Sequence, residues 1–439
     1  MMGLDERWKG FGNQTMTYIE LVKKIENMRR FGKASGYEVS TQLLKALDYP
    51  EKGMDVIHIA GTNGKGSTAA FLSSILKEAG KKVGLFTSPH LVTFRERIQI
   101  NGELISEEDV LRLGQKVLEA ESYMPLDATM FDITLAIALL YFKEQKVDVV
   151  VLETGLGGAK DSTRALCHPP KVAVITNIGF DHTQVLGNTL TEIAENKAGI
   201  IRPGCFTVIA NMAEEAKAVL ESTCQSLCVP YGFSKDVTLE DGISLGLLGE
   251  YQKENAQNSV LAAGVYLNGS AFSYELKELE DGDFSKLLDE TKKRAFLNGL
   301  KNARHPGRME ILSKDPFVMV DGAHNPQGVS ALSKSLVALY PGEKFVFVVG
   351  VLADKDYGHM MEEMLPIAEE FVTVTVESER ALQGEELAGY LRDKGAKATS
   401  ASSIDEAFSE KRNGKTVVFG SLYFVGDVIQ YFKVRNTVE

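Results

Sequence analysis

The segment from His58 to Ser67 reads His-Ile-Ala-Gly-Thr-Asn-Gly-Lys-Gly-Ser, a glycine-rich turn with one lysine and one hydroxyl. It lies between an apolar run, Val56 to Ala60, and a segment in which Phe71, Leu72, Ile75, Leu76 and Ala79 recur at helical spacing up to Gly80. Strand, tight turn and helix in that order restrict the fold to sheets built from parallel units. The turn itself reads as a phosphate cradle. Gly61, Gly64 and Gly66 let backbone N–H groups point inward, Lys65 adds a mobile charge, and the helix N-terminus adds its partial charge. Its natural guest is a nucleoside triphosphate. The spacing departs from a Walker A loop: Ile59 stands where that motif has its first glycine, and Gly66 separates Lys65 from the hydroxyl of Ser67. An ordinary glycine-rich turn is the competing reading.

The same rhythm recurs downstream. Val83 to Thr87, Val147 to Leu152, Val172 to Thr176 and Phe206 to Ala210 are apolar runs separated by helical patterns, which predicts a largely parallel sheet. The stretch from Asp236 to Gly249 reads as short strands and turns, and Tyr251 to Leu267 as a helix. The pattern restarts with Phe317 to Val320, Phe345 to Val349, Phe371 to Val376 and Thr416 to Phe419. We therefore expect an α/β protein of two domains, residues 1–298 with the phosphate loop and residues 299–439 as a smaller Rossmann-like unit, with a ligand cleft between them.

Composition narrows the function. The 439 residues carry a net charge of −12, which argues against a nucleic-acid partner. The longest apolar stretch, Ile133 to Phe142, falls short of the roughly 18 residues of a membrane span. Met1 to Lys9 is charged and has no signal-peptide core, so a cytoplasmic protein is expected. Four cysteines make no disulfide framework. Cys205, Cys224 and Cys228 lack both a neighbouring histidine and the spacing of a zinc site.

In open α/β sheets the reactive side chains follow the C-terminal ends of strands. Those positions hold Thr87, Ser88 and His90; Glu153; Asn177, Asp181 and His182; and Asp321, His324 and Asn325. Glu153, ending a buried strand near the phosphate loop, is placed to hold the magnesium that bridges nucleotide phosphates. A solvated strand end is its plainer reading. Arg304 and Arg308 flank the linker, where they can reach phosphates or serve as a charged hinge. Lys197, in a helical pattern closed by Gly199 and Pro203, reads from its surroundings alone as a solvated lysine.

Together these residues resemble the folylpolyglutamate synthase and dihydrofolate synthase family, a branch of the Mur-ligase-like ATP-dependent amide ligases. Matching motifs run in order through Met28 to Tyr37, Ala60 to Ser67, Thr87 to Leu91, Glu153 to Thr163, Asp181 to Gly187, Glu195 to Ile200, Gly249 to Ala256, Pro306 to Glu310, Asp321 to Pro326, Leu352 to Asp356 and Gly420 to Ser421. The resemblance implies that ATP phosphorylates a carboxylate of a folate or pteroate, and that L-glutamate attacks the acyl phosphate.

It also implies roles. Gly61, Thr62, Asn63, Gly64, Lys65, Gly66 and Ser67 would bind phosphates, and Ser88, Glu153 and His182 would hold Mg2+. Lys197 matches a lysine often carbamylated in the family, a change that makes it a metal-binding carboxylate. Asn255, Arg308 and Asp321 would contact the nucleotide, His324 would lie near the γ-phosphate and glutamate, and Phe131 and Asp161 match positions associated with the pterin-bearing substrate. The chain departs from the family at Ala159 and Arg164, where arginine and asparagine are usual, at Tyr251, and at Ser378 and Glu379 before Arg380. Small-molecule substrates and a monomer are expected. Two rivals remain at this point: a Mur-type peptidoglycan-precursor ligase, which normally carries a further N-terminal domain, and a P-loop switch ATPase.

Overall fold

A computed structural model describes residues 16–28, 37–240, 242–409 and 414–436. Its first sheet contains β1 (Asp55–Ala60), β2 (Val83–Phe86), β3 (Ile98–Ile100), β4 (Glu103–Leu104), β5 (Val149–Glu153), β6 (Val172–Ile175), β7 (Phe206–Ile209) and β8 (Tyr231–Phe233). They lie in the order β4-β3-β2-β5-β1-β6-β7-β8, with every pair parallel except β2–β3 and β3–β4. Alternate residues enter opposite cores: Val150 and Leu152 of β5 pack with the helices Glu107–Ser122 and Met130–Glu144, and Val149 and Val151 with Lys65–Glu78 and Gln252–Asn268. A strand covered on both faces is apolar throughout, which is why these runs were legible.

The second sheet contains β9 (Glu310–Lys314), β10 (Phe317–Val320), β11 (Phe345–Val349), β12 (Ala368–Val374), β13 (Ala398–Ala401) and β14 (Lys415–Phe419). Its order is β13-β12-β11-β14-β10-β9, parallel except for β9. Cores again lie on both faces. The loops after β1, β5, β6, β10 and β14 converge on one cleft.

Two expectations are revised. Residues 236–249 form no strand among the described residues; they hold a single bridge, Thr238 to Asp283, and only Val237 and Leu247 of the described stretch are buried in the core, too few and too far apart for the alternation of a strand. The expected domain boundary at 298/299 falls inside the helix Glu290–Asn302. Phe296 and Leu300 of that helix pack in the first body, so we propose residues 303–309 as the passage between bodies. Met1 to Lys9 and most of Met28 to Tyr37 lie outside the described residues. No helix among the described residues is long and apolar enough to cross a membrane.

Candidate active site

The phosphate loop is built from the end of β1. Thr62 N–H donates to Asn177 O at 2.8 Å and Asn63 N–H to Asn177 Oδ1 at 2.9 Å, so these two groups are spent on the neighbouring strand end. Gly64 turns at φ 84°, and the helix begins at Lys65. The N–H groups of this first turn are those a helix leaves for a ligand. Gly66, the residue foreign to a Walker A loop, has a packing reason: a Cβ there would stand 2.5 Å from His305 Nε2 of the interbody passage. A glycine lets that passage close on the helix start.

Charge at this end is left uncompensated. Lys65 Nζ donates to Gly61 O and Thr62 O at 3.2 Å each, and Lys197 Nζ donates to the same Gly61 O at 2.7 Å. Lys197 is buried rather than solvated, correcting the plainer reading of it. Burial and the Lys65 charge pull its pKa down to about 7, so a substantial share of its amine is neutral near neutral pH. Glu153 is also buried, with Oε2 accepting Ser88 N–H at 3.1 Å, and burial pushes its pKa up against the pull of Lys65.

The second body faces this end across a cleft of about 750 Å³. Asp321 accepts from Tyr251 Oη at 3.0 Å, Met309 N–H at 2.9 Å and Ala323 N–H at 2.9 Å. Its carboxylate therefore fixes the wall from which Arg308 faces the cleft. Tyr251, the departure from the family pattern, thus ties the first body to the second. His324 donates from Nδ1 to Gly322 O at 2.7 Å, and burial draws its pKa down to about 4, leaving a neutral ring. Asp181 receives Lys355 Nζ at 3.0 Å and Asn325 Nδ2 at 3.1 Å, both from the second body. Burial opposes its charge, but Lys355, His182 and His324 hold its pKa below the usual range.

Residues 59–245 match the Mur ligase middle domain, and residues 307–421 match the Mur ligase glutamate ligase domain. The chain is 34% identical over 440 residues to the dihydrofolate synthase/folylpolyglutamate synthase of Bacillus subtilis, covering 93% of this chain and 97% of that one. The chain belongs to the folylpolyglutamate synthase/dihydrofolate synthase family. It is 31% identical over 444 residues to the folylpolyglutamate synthase of Lacticaseibacillus casei, covering 94% and 98% of the two chains. Among solved structures it resembles E. coli FolC in complex with DHPP and ADP, with a TM-score of 0.81 and 26% identity over 97% of this chain and 100% of that one. These relatives set aside the peptidoglycan and switch readings.

Ser88, Glu153, His182 and Lys197, the residues that the family resemblance gives to the metal, all line the one cleft. Among the described residues no three acidic, histidine or cysteine side chains converge as a metal cage. That donor set fits Mg2+, which keeps waters and phosphate oxygens and asks a protein for one or two carboxylates. Gly61 to Ser67, Asn255, Arg308, Asp321 and His324 line the cleft as well. Phe131 and Asp161 do not. The Phe131 ring packs behind Gly155, where a Cβ would meet it at 2.8 Å. Asp161 is buried in its own loop, accepting Leu156 N–H at 2.7 Å and Thr163 N–H at 3.0 Å.

Sequence reasoning missed Gln327, Lys355 and the buried hydroxyl of Ser421 as cleft residues. A signal existed for all three: Lys355 and Ser421 stand inside matching motifs to which no role was given, and Gln327 directly follows the motif Asp321 to Pro326.

Proposed function

We propose that the chain uses ATP to join the amine of L-glutamate to the γ-carboxylate of a folate, and that it also extends dihydropteroate. The observation that carries this reading is the cleft itself, where a phosphate-binding helix start and a buried carboxylate on one body face histidine, lysine and hydroxyl groups on the other. A carboxylate is a poor electrophile because its leaving group would be oxide. In the first step a carboxylate oxygen attacks the γ-phosphorus and ADP leaves; in the second the amine attacks the acyl carbon and inorganic phosphate leaves.

Both steps need anions brought together and water kept out. The N–H groups of the Lys65 helix and the Lys65 ammonium hold the phosphates, and Arg308 adds charge from the second body. Mg2+, when bound by Glu153, Ser88 and His182, screens the repulsion between ATP and the carboxylate. A carbamate on Lys197 would relieve the crowding of two amines on Gly61 O, and its neutral amine is the form that attacks carbon dioxide. For glutamate, Ser421, Lys355 and Arg380 offer a hydroxyl and two cations from the second body, and His324 presents Nε2 as an acceptor beside them.

The reading extends to a monomeric, cytoplasmic enzyme; all four cysteines are free thiols. It is tested by ATP-dependent incorporation of labelled glutamate, run in parallel on dihydropteroate and tetrahydrofolate. Product on both substrates is expected. Nucleotide turnover indifferent to glutamate and to both acceptors would overturn the ligase reading.

A further inference from the structure

Asn325 sits beside His324 at the start of the helix Pro326–Leu339, and its buried amide serves two masters. Oδ1 accepts the N–H of Gly328 at 2.7 Å, capping the helix. That N–H can only donate, so the cap fixes which way the amide points. Nδ2 is thereby aimed across the seam, where it donates to Asn63 Oδ1 at 3.2 Å and Asp181 Oδ2 at 3.1 Å. Asn63 returns the contact by donating from Nδ2 to Gln327 Oε1 at 3.0 Å, one helical step along. A Cβ at Gly179 would stand 2.3 Å from that same Gln327 oxygen, so the two bodies meet here without slack.

Three loops meet at this amide. Asn63 belongs to the phosphate loop, Asp181 precedes the metal-side His182, and Asn325 follows His324 of the second body. An acceptor is required on one side and a donor on the other. Asparagine supplies both, aspartate only the first.

We propose that Asn325 is a positioning residue for amide transfer: its cross-seam amide docks the second body only when the phosphate loop and the 179–182 loop are both in place. This rests on the ligase reading above. The amide forms no part of the phosphate or metal set, and acts through the placement of His324 and Lys355.

The test uses the full-length protein with ATP, glutamate and tetrahydrofolate. Glutamate-dependent ADP release by the unaltered protein comes first, and its absence would overturn the ligase reading before any variant is compared. Asn325→Ser keeps a good helix cap and deletes the crossing donor; Asn325→Asp keeps the cap and sets two carboxylates face to face. Each is expected to fold with a lowered Tm and to lower kcat by about 100-fold, the scale of two lost hydrogen bonds of which one is to a charged group. The loss should appear in kcat and in the KM for glutamate, with ADP affinity by calorimetry near the original. Combining Asn325→Asp with Asp181→Asn reverses the polarity of the pair and should recover at least about tenfold over Asn325→Asp alone. Asn325→Ser with undiminished kcat, a loss confined to Tm or to ADP affinity, or an exchange variant no better than Asn325→Asp would each overturn the proposal.

Discussion

The two ends of the cleft handle charge in opposite ways. Around Gly61 the protein brings Lys65 and Lys197 to one carbonyl and buries Glu153 with a single N–H partner, so the local charge is incomplete. Around Asp181, three angstroms or so from Lys355 and Asn325, the protein completes the charge with its own donors. The first arrangement is what a site needs if ligand and metal are to finish it. The second is what a joint needs. Perturbed groups near a cleft thus divide into those awaiting a partner and those already holding one, and the former are the ones a bound phosphate and metal would complete.

The contrast is broken most severely at the incomplete end. Lys65→Ala and Glu153→Ala should each lower amide formation by about 10³-fold while leaving Tm nearly unchanged, because each removes charge stabilisation that no neighbour replaces. Labelled-glutamate incorporation beside thermal unfolding checks this, and near-normal turnover in either variant would refute the assignment. Lys197→Ala should fall with them and be partly rescued by added short carboxylates, which stand in for a carbamate.

A smaller effect sharpens the comparison at the interbody passage. Gly66→Ala gains about 1 kcal/mol of helix propensity, but its methyl meets His305, and such overpacking costs about 1–3 kcal/mol. We expect a lower Tm and a raised KM for ATP. Removing the obstacle with His305→Ala should make the added methyl stabilising, so Gly66→Ala with His305→Ala should melt above His305→Ala alone.

Near neutral pH the smallest effect lies away from both ends. His58 is buried in β1, and its Nε2 donates to Thr163 Oγ1 at 2.8 Å, the threonine hydroxyl being spent on Asp161. Burial and the charge of Arg202 draw the His58 pKa down from 6.5 to about 3. Between those values the unfolded chain takes up a proton that the folded one refuses, so stability falls as pH drops through this window. One histidine contributes a slope of about 1.4 kcal/mol per pH unit. His58→Gln keeps a donor for Thr163 and should flatten denaturant-measured stability against pH by that amount; an unchanged slope would contradict the buried neutral ring.

Legibility followed burial. The runs at β1, β5, β10 and β11 were read from sequence because both faces of these strands are covered, which demands unbroken apolar side chains. All five unread strands, β3, β4, β8, β9 and β13, lie at the margins of their sheets. β4, β8, β9 and β13 each lack one neighbour, β3 is paired on its outer side only by two-residue β4, and residues such as Glu103, Lys314 and Thr399 are tolerated. The site divided similarly. Residues at strand ends carried their own signal, and Lys197 became visible only by resemblance, since helical spacing cannot say that one lysine faces inward. The work of Asn325 was hidden because a helix cap looks the same in sequence whether or not its amide also crosses to another body.

Those marginal strands have a consequence for how copies of the chain behave toward one another. Two open sheets have four edges, each an invitation for a foreign strand to add itself. Here the edges are closed by β4, β8, β9 and β13, none longer than five residues. A visiting segment would find a handful of bonds and then a turn. The shortness that hid these strands from view also leaves little edge for a second copy of the chain to pair with.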